Sequence, residues 1–380
     1  MQGLLLFSSH PPRLALFSVA RILVPIAHLP DHRHHPFAVR AMSTKDVSRQ
    51  SDINKMTTDG DGSFKRRPSS FRNFIEPGGK FEPEKDRYHL YISYACPWAT
   101  RTLIMRKLKG LESFIDVSIV SPHMGEHGWP FASADAYPGA TDDPIHKSAH
   151  VKDLYMHAAP DYDGRFTVPV LWDKKTDTIV NNESSEIIRM FNTAFNHLLP
   201  NEKAQLDFYP AHLRAEIDEV NEWVYDTVNN GVYKSGFAST QAAYEAAVRP
   251  LFESLDKLEG MLKGKEYLVG NQLTEADIRL FVTIVRFDPV YVVHFKCNIR
   301  TIRDGYPEIH RWMRQLYWKI PAFSETCDFD HIKTHYYWSH PFVSLTPILS
   351  DRSVIMLSTG SQINPHRIIP AGPIPNILPL

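Results

Sequence analysis

Apolar positions along the chain change their period once, and the change divides it in two. "RYHLYI" (87–92) and "FIDVSIV" (114–120) are short runs of aromatic and branched residues, the composition that strands prefer. Between them Ala99, Leu103, Ile104, Leu108 and Leu111 recur at helical spacing. Arg106, Lys107 and Lys109 crowd the end of that stripe before Gly110, as a helix terminus favours. "TVPVLWD" (167–173) and "TIVNN" (178–182) predict a strand pair across a turn at Lys174–Asp177. "SSEIIRMFNTAF" (184–195) predicts a helix that begins after Glu183. Beyond a linker around Pro200–Pro210 no strand pattern returns. Leu213, Ile217, Val220, Val224 and Val228 form one helical stripe; Tyr244, Val248, Leu251, Leu255, Leu258 and Leu262 form another. "LTEADIRLFVTIVRF" (273–287) is apolar nearly all round and predicts a central helix, with Thr274 and Asp277 spaced to cap its start reciprocally. "PEIHRWMRQLYWKI" (307–320) is a further helix.

The order β-α-β-insert-β-β-α is that of a thioredoxin-like domain. The predicted fold class is therefore α/β followed by all-α: a thioredoxin-like domain over 63–198 and an all-helical domain over 205–342. A segment rich in Gly, Pro and His, from Ser121 to about Arg165, interrupts the first domain and is too long to be an idle loop. Residues 43–72 are polar and predict a flexible arm. With 43% hydrophobic and 22% charged residues among 380, the composition fits a two-domain soluble protein. The net charge of −1 leaves no basic excess for nucleic acid or an anionic membrane, so neither is an expected partner. The leader, within 1–62, has no acid before Asp31 but carries Arg13, Arg21, Arg33 and Arg40. Its apolar runs stop short of the ~20 residues that span a bilayer. It resembles a mitochondrial presequence. The alternative is a start at Met42 or Met56, so the expected compartment is mitochondrial or cytoplasmic.

Cys96, Cys297 and Cys327 lie far apart, which excludes a disulfide scaffold and the usual zinc spacings. No His/Cys/Asp cluster has ligand spacing, and no metal is expected. Cys96 falls between a predicted strand and a helix, and Pro97 suits a first helical turn. At such a point the helix dipole favours the thiolate, the reactive form of cysteine. A buried cysteine closing the strand is the other reading of that position. Three residues on stands Ala99 rather than a second cysteine. A reactive Cys96 would thus need an external thiol, glutathione being the abundant one, to resolve a mixed disulfide. Pro169 stands just inside a predicted strand, where proline is disfavoured. In thioredoxin-like domains that proline is cis, and the backbone beside it pairs with a thiol peptide. Glu183 and Ser184, just before a helix, offer a carboxylate and a hydroxyl beside free amides suited to an incoming carboxylate. Ser184 reads equally well as an N-cap.

Longer blocks carry a resemblance. "RYHLYISYACPWATRTLIMRKLKGLE", "GRFTVPVLWDKKTDTIVNNESSEIIRMFNTAF", "YDTVNNGVYKSGFA", "GNQLTEADIRLFVTIVRFDPVYVVHFKCN" and "DHIKTHYYWSH" resemble the glutathionyl-hydroquinone reductases. These are the Xi-class glutathione transferases, relatives of the omega class. The similarity runs from about 63 to 342 and resumes at "INPHRIIPAGP" (363–373). The resemblance implies a catalytic Cys96 and a glutathione-contacting Trp129 in "EHGWPF". It implies backbone pairing at Val168 and Pro169, and a γ-glutamyl clamp at Glu183 and Ser184. Tyr233 in "NNGVY" and Tyr336 in "KTHYY" would line a hydroquinone site; on the residues alone both read as packing tyrosines. Cys297 and Cys327 are expected to have no role.

The implied activity is glutathione-dependent reduction of S-glutathionyl-hydroquinones to hydroquinones through a Cys96–glutathione mixed disulfide. Glutathione is the co-substrate, no metal takes part, the ligands are small aromatic glutathione conjugates, and a homodimer is implied. Two alternatives share the fold: an omega-type thiol transferase or dehydroascorbate reductase using Cys96, and a non-catalytic binding protein. In the tail (343–380), "VSLTPILSDRSVIMLSTGSQ" (343–362) interrupts the family pattern, as a retained intron, a gene-model error or a lineage-specific loop would.

Overall fold

A computed structural model describes residues 58–340. The expected leader, apart from its last five residues, and the tail with its stretch at 343–362 lie outside the described residues. The first half contains β1 (Tyr88–Ile92), α1 (Pro97–Leu108), β2 (Ile115–Ile119), α2 (Val151–Ala158), β3 (Val170–Asp173), β4 (Thr178–Asn181) and α3 (Ser184–Thr193). The sheet order is β2-β1-β3-β4: β1 runs parallel to β2, and β3 antiparallel to both β1 and β4. All of β1 is buried, which is why it reads as a continuous apolar run rather than an alternating one. At the sheet's end Arg87 donates twice to Asp173, at 2.7 and 2.8 Å, so two buried charges satisfy each other. α1 stops where expected, Gly110 taking a left-handed φ of +67° that few other residues accept.

Three sequence expectations for the first half change. Pro169 stands ahead of the strand rather than inside it: β3 begins at Val170, after the cis Val168–Pro169 bond, because proline has no N–H for the ladder. The insert is not all loop. It contains α2, whose start is a capping box between His150 and Asp153; eight residues are too few for a helical stripe to stand out. The described part of the supposed flexible arm is packed. Phe64 is buried against Phe237, and the amides of Phe71 and Asn73 bond to Asn182 Oδ1 and Val180 O at 3.1 and 3.0 Å. Its polar side chains read as solvated ones, but two of them fasten it down: Arg66 donates to Asn230 and Ser69 to Glu183.

The second half comprises α4 (Arg214–Val224), α5 (Gly231–Phe237), α6 (Gln241–Leu262), α7 (Glu275–Arg286), α8 (Pro307–Lys319) and α9 (Phe329–Ser339). α7 is central, as its sequence predicts, and every residue from Glu275 to Arg286 except Arg279 is buried. Its predicted cap is present: Thr274 N donates to Asp277 Oδ2 at 3.0 Å, and Trp312 Nε1 and Leu268 N donate to Oδ1. The stripe from Leu213 to Val228 is not one helix. A π-helical turn over Tyr225–Asn229 follows α4 and leads into α5, and a second over Phe287–Tyr291 follows α7. Such widened turns are frequent at functional sites. Here they bring Tyr225 and Tyr291 toward the junction of the halves.

Candidate active site between the two halves

Where β1 ends, the chain turns through Ser93–Ala95 into α1, with Cys96 as the N-cap and Pro97 in the first turn. That turn is held from the other half. Arg286, wholly buried at the end of α7, donates to Ala95 O (3.1 Å), Tyr94 O (2.7 Å) and Thr100 Oγ1 (2.8 Å). A guanidinium with five donors suits this job, since one side chain ties several carbonyls to one geometry. Cys96 is half-buried, and its Sγ donates to Val168 O at 3.3 Å, beside the cis bond.

The helix start does not by itself make Cys96 a thiolate. Burial pushes its thiol above the ordinary value; the Ala99 and Trp98 amides, Arg286 and Arg66 pull it the other way without prevailing. Helix position in the sequence points to a lowered value; the desolvation that opposes it depends on tertiary packing and is invisible there.

A cavity of about 480 Å³ opens from the sulfur, and every sequence-predicted site residue lines it: Cys96, Trp129, Val168, Pro169, Glu183, Ser184, Tyr233 and Tyr336. The volume suits a small-molecule ligand. At the start of α3 the N-cap is Glu183, not Ser184. Its carboxylate accepts from Ser185 N (3.1 Å), Ser185 Oγ (2.9 Å) and Ser69 Oγ (3.0 Å). Burial alone would raise its pKa; these bonds, with Arg101 nearby, outweigh burial and hold it below the usual carboxylate range. An ionised carboxylate has about four acceptor positions, so roughly one is left for a ligand cation. Ser184 Oγ is buried with no hydrogen-bond partner, and so is Nη2 of Arg165, another lining residue. Two unspent buried donors in one wall fit a ligand that brings carboxylates, as glutathione does.

Trp129, from the insert, stacks on His335 of α9 with ring centroids 4.4 Å apart. Its position is secured by the insert's attachment to α9: Pro122 O accepts from Ser339 Oγ and meets His335 Nδ1, both at 3.0 Å. On the opposite side Arg66, held by Asn230 Oδ1 at 2.7 Å, lies 4.7 Å from the Trp98 ring centroid and 5.0 Å from that of Tyr233. Arg101 lies 4.5 Å from Trp98 and donates to Asn229 Oδ1. The pair "NN" before Gly231 thus fixes two arginines. Tyr233 and Tyr336 are hydrogen-bonded to each other at 2.7 Å, and Tyr336 to Tyr291 at 3.1 Å.

Sequence reading missed Arg66, Arg165, Arg286 and Tyr291. Only "KRRP", an arginine pair immediately before a proline, offered any signal for the first; buried partners 164 and 192 residues away offer none.

Comparison with known proteins agrees with this arrangement. The glutathione S-transferase N-terminal domain model matches residues 95–194 and the C-terminal domain model residues 241–315. The glutathionyl-hydroquinone reductase YqjG of Escherichia coli is 57% identical over 297 residues, covering 76% of this chain and 88% of that protein. The crystal structure of the glutathione S-transferase Xi from Phanerochaete chrysosporium is 72% identical, covers 87% of this chain and 99% of its own, and superposes with a TM-score of 0.80. The chain is a Xi-class glutathione S-transferase. A glutathione-bound structure of the E. coli protein also aligns, at 52% identity over 82% of this chain and 95% of that one, with a TM-score of 0.71. For this Xi-class transferase the N-terminal match begins at Ala95, one residue before the cysteine at the mouth of α1.

Proposed function

We propose that this transferase reduces S-glutathionyl-hydroquinones to hydroquinones, with glutathione as co-substrate and Cys96 as nucleophile. The observation that carries the proposal is the shared cavity. One wall has a thiol, a cis-proline backbone and unspent donors for a tripeptide, and the facing wall has linked phenols for an aromatic ring. Cys96, held as a thiol by burial, first gives its proton to solvent and then attacks the glutathionyl sulfur as the thiolate. A Cys96–glutathione disulfide forms, the bond from sulfur to the ring breaks with its electron pair on the ring carbon, and that carbon takes a proton. A second glutathione thiolate then attacks the mixed disulfide, releasing oxidised glutathione and the Cys96 thiolate.

The proton's source follows from counting hydroxyls. Each phenol has one proton to give. Tyr291 is 0% exposed, Tyr336 1% and Tyr233 9%. With the inner two donating outward, Tyr291 to Tyr336 and Tyr336 to Tyr233, the proton of Tyr233 is the one left to meet a ring oxygen or carbon. Burial raises all three phenols, which keeps them protonated and able to act as general acids. Tyr336 and Tyr291 act through Tyr233 and position it.

The test is turnover of an S-glutathionyl-hydroquinone with glutathione, followed by chromatography of both products, for wild type and Cys96→Ser. Hydroquinone and oxidised glutathione released together, and lost in the variant, are the expected result. A folded wild type that leaves this conjugate intact but reduces small mixed disulfides would replace the proposal with the thiol-transferase reading. We further propose a homodimer working in the cytoplasm or the mitochondrion. Light scattering and a leader–fluorescent-protein fusion test the two points.

A further inference from the structure

Away from the cavity, the fold assembles three ligand-bearing side chains that share no sequence motif. His146 comes from the insert, His157 from the last turn of α2, and Asp177 from the β3–β4 turn. None of them lines the active-site cavity. Their ligand atoms all lie within 4.8 Å of one another. His157 Nε2 is 2.7 Å from Asp177 Oδ2 and His146 Nε2 is 2.9 Å from Asp177 Oδ1, so both rings face one carboxylate.

We propose that His146, His157 and Asp177 form a site for a divalent transition metal of the zinc class, which clamps the insert to the β3–β4 hairpin. Two observations carry this. First, the His146 nitrogen is buried and close to the carboxylate oxygen, yet makes no hydrogen bond to it. The in-plane direction of that nitrogen therefore points past the oxygen, which leaves its lone pair for a cation seated beside the carboxylate. Second, the imidazoles are stacked with centroids 4.3 Å apart and planes 29° apart. The stacking brings both Nε2 atoms to one carboxylate, at 2.7 and 2.9 Å. One metal ion accepts both lone pairs and one carboxylate oxygen.

Two imidazoles and a carboxylate are ligands that zinc, cobalt(II), nickel and copper(II) accept. Half-exposed side chains at His157 and Asp177 leave a fourth position for water. Tetrahedral zinc with bonds of ~2.1 Å holds its donors ~3.4 Å apart, so the ion enters by opening the two His–Asp177 contacts, now 2.7 and 2.9 Å, while ligand atoms that lie within 4.8 Å of one another settle around it. Both rings are backed by the indole of Trp172, whose ring centroid is 5.1 Å from His146 and 5.8 Å from His157. No oxidation state changes: each ring gives its Nε2 lone pair, and its proton stays on Nδ1 or leaves to solvent. The clamp has a functional location, because the same insert supplies Trp129 and Arg165 to the cavity wall.

The test uses the full chain stripped of metal and titrated with cobalt(II) and with zinc. Other histidines, His32, His34 and His35 of the leader among them, will bind weakly, so the site is read by difference. The variants are His146→Gln/His157→Gln and, separately, Asp177→Asn. Asparagine tolerates the left-handed φ of +52° at that position, which keeps the second variant folded if the first is not. Wild type should bind one equivalent at least tenfold more tightly than either variant, with visible cobalt bands of a four-coordinate site. Zinc should raise its thermal midpoint and not theirs, and turnover without added metal should be equal in all three. Indistinguishable titrations for wild type and both variants, or no binding by wild type, would overturn the proposal.

Discussion

The two walls of the cavity are built by different means. The glutathione side is local. Cys96, Val168–Pro169 and Glu183–Ser184 sit at strand ends and helix starts, where backbone groups are free by construction. The aromatic side is assembled from far-apart segments, its phenols joined by hydrogen bonds across 103 and 45 residues of sequence. Binding a constant tripeptide needs only what the fold offers at element ends. Placing a proton against an aromatic ring needs side chains whose positions the helical packing decides. The wall that is local in sequence should therefore govern whether chemistry occurs, and the other how fast.

The sharpest way to break this division is at the sulfur. Cys96→Ser should lower turnover by at least ~10³-fold, because the hydroxyl is not a competent nucleophile toward sulfur here, while glutathione still binds. Calorimetry with glutathione alongside the rate measurement checks both halves of the statement. A variant that lost binding as well would show the thiol to be part of the recognition surface. The next effect is on the facing wall. Tyr233→Phe should cost ~10²-fold in kcat with the KM for the conjugate changed little, the amount a positioned general acid contributes. An equal rise in KM would make Tyr233 a binding group instead.

Acid should act on stability chiefly through the helical side. His294 and His331 are pushed down to about 3, His335 to about 4, and His340 well below its ordinary value, all chiefly by burial. All four belong to the helical side, behind Trp129 and the phenols. An unfolded histidine takes up its proton near pH 6.5 and these do not, so stability present above pH 6.5 is lost between there and about pH 4 to 3. Asp277, raised to about 6 by burial, works in the opposite sense below pH 6, but it is one group against five, since burial pushes His89 of β1 down to about 4 as well. At pH 5 each such histidine costs up to ~2 kcal/mol, about thirtyfold in the unfolding equilibrium. Thermal midpoints flat between pH 8 and 7 and falling steeply by pH 5 are expected. A midpoint unchanged at pH 5 would mean that the cluster takes up protons in place.

The same division explains what the sequence could say. The sheet, α1, α3, α6 and α7 follow from period and caps, and Cys96 from its place between strand and helix, because those signals are local. Arg286 reads as one more basic residue at a helix end, yet it fixes the turn before Cys96 from across the molecule. Arg66 and Ser69 belong to a stretch whose polarity reads as solvation, whereas each is bonded into the cavity wall. His146, His157 and Asp177 have no motif spacing at all. Tyr291 was hidden most thoroughly, since a π-helical turn breaks the 3.6-residue period on which its face would have been read.

Tyr291 also gives the smallest and most discriminating effect. Its hydroxyl reaches no ligand; it lies 3.1 Å from Tyr336 and is fully buried. If the phenols donate outward in series, Tyr291→Phe removes one support for the charge left on Tyr233 and should slow kcat about three- to tenfold, near the ~1 kcal/mol of one hydrogen bond. Loss of packing could produce a similar number, so the size alone decides nothing. The decisive measurement is the double variant. A residue that acts only through Tyr233 has nothing to act on once Tyr233 is phenylalanine, so Tyr291→Phe should leave the rate of Tyr233→Phe unchanged. Additive losses would mean that Tyr291 shapes the site by bulk, and that the proton reaches the ring by another route.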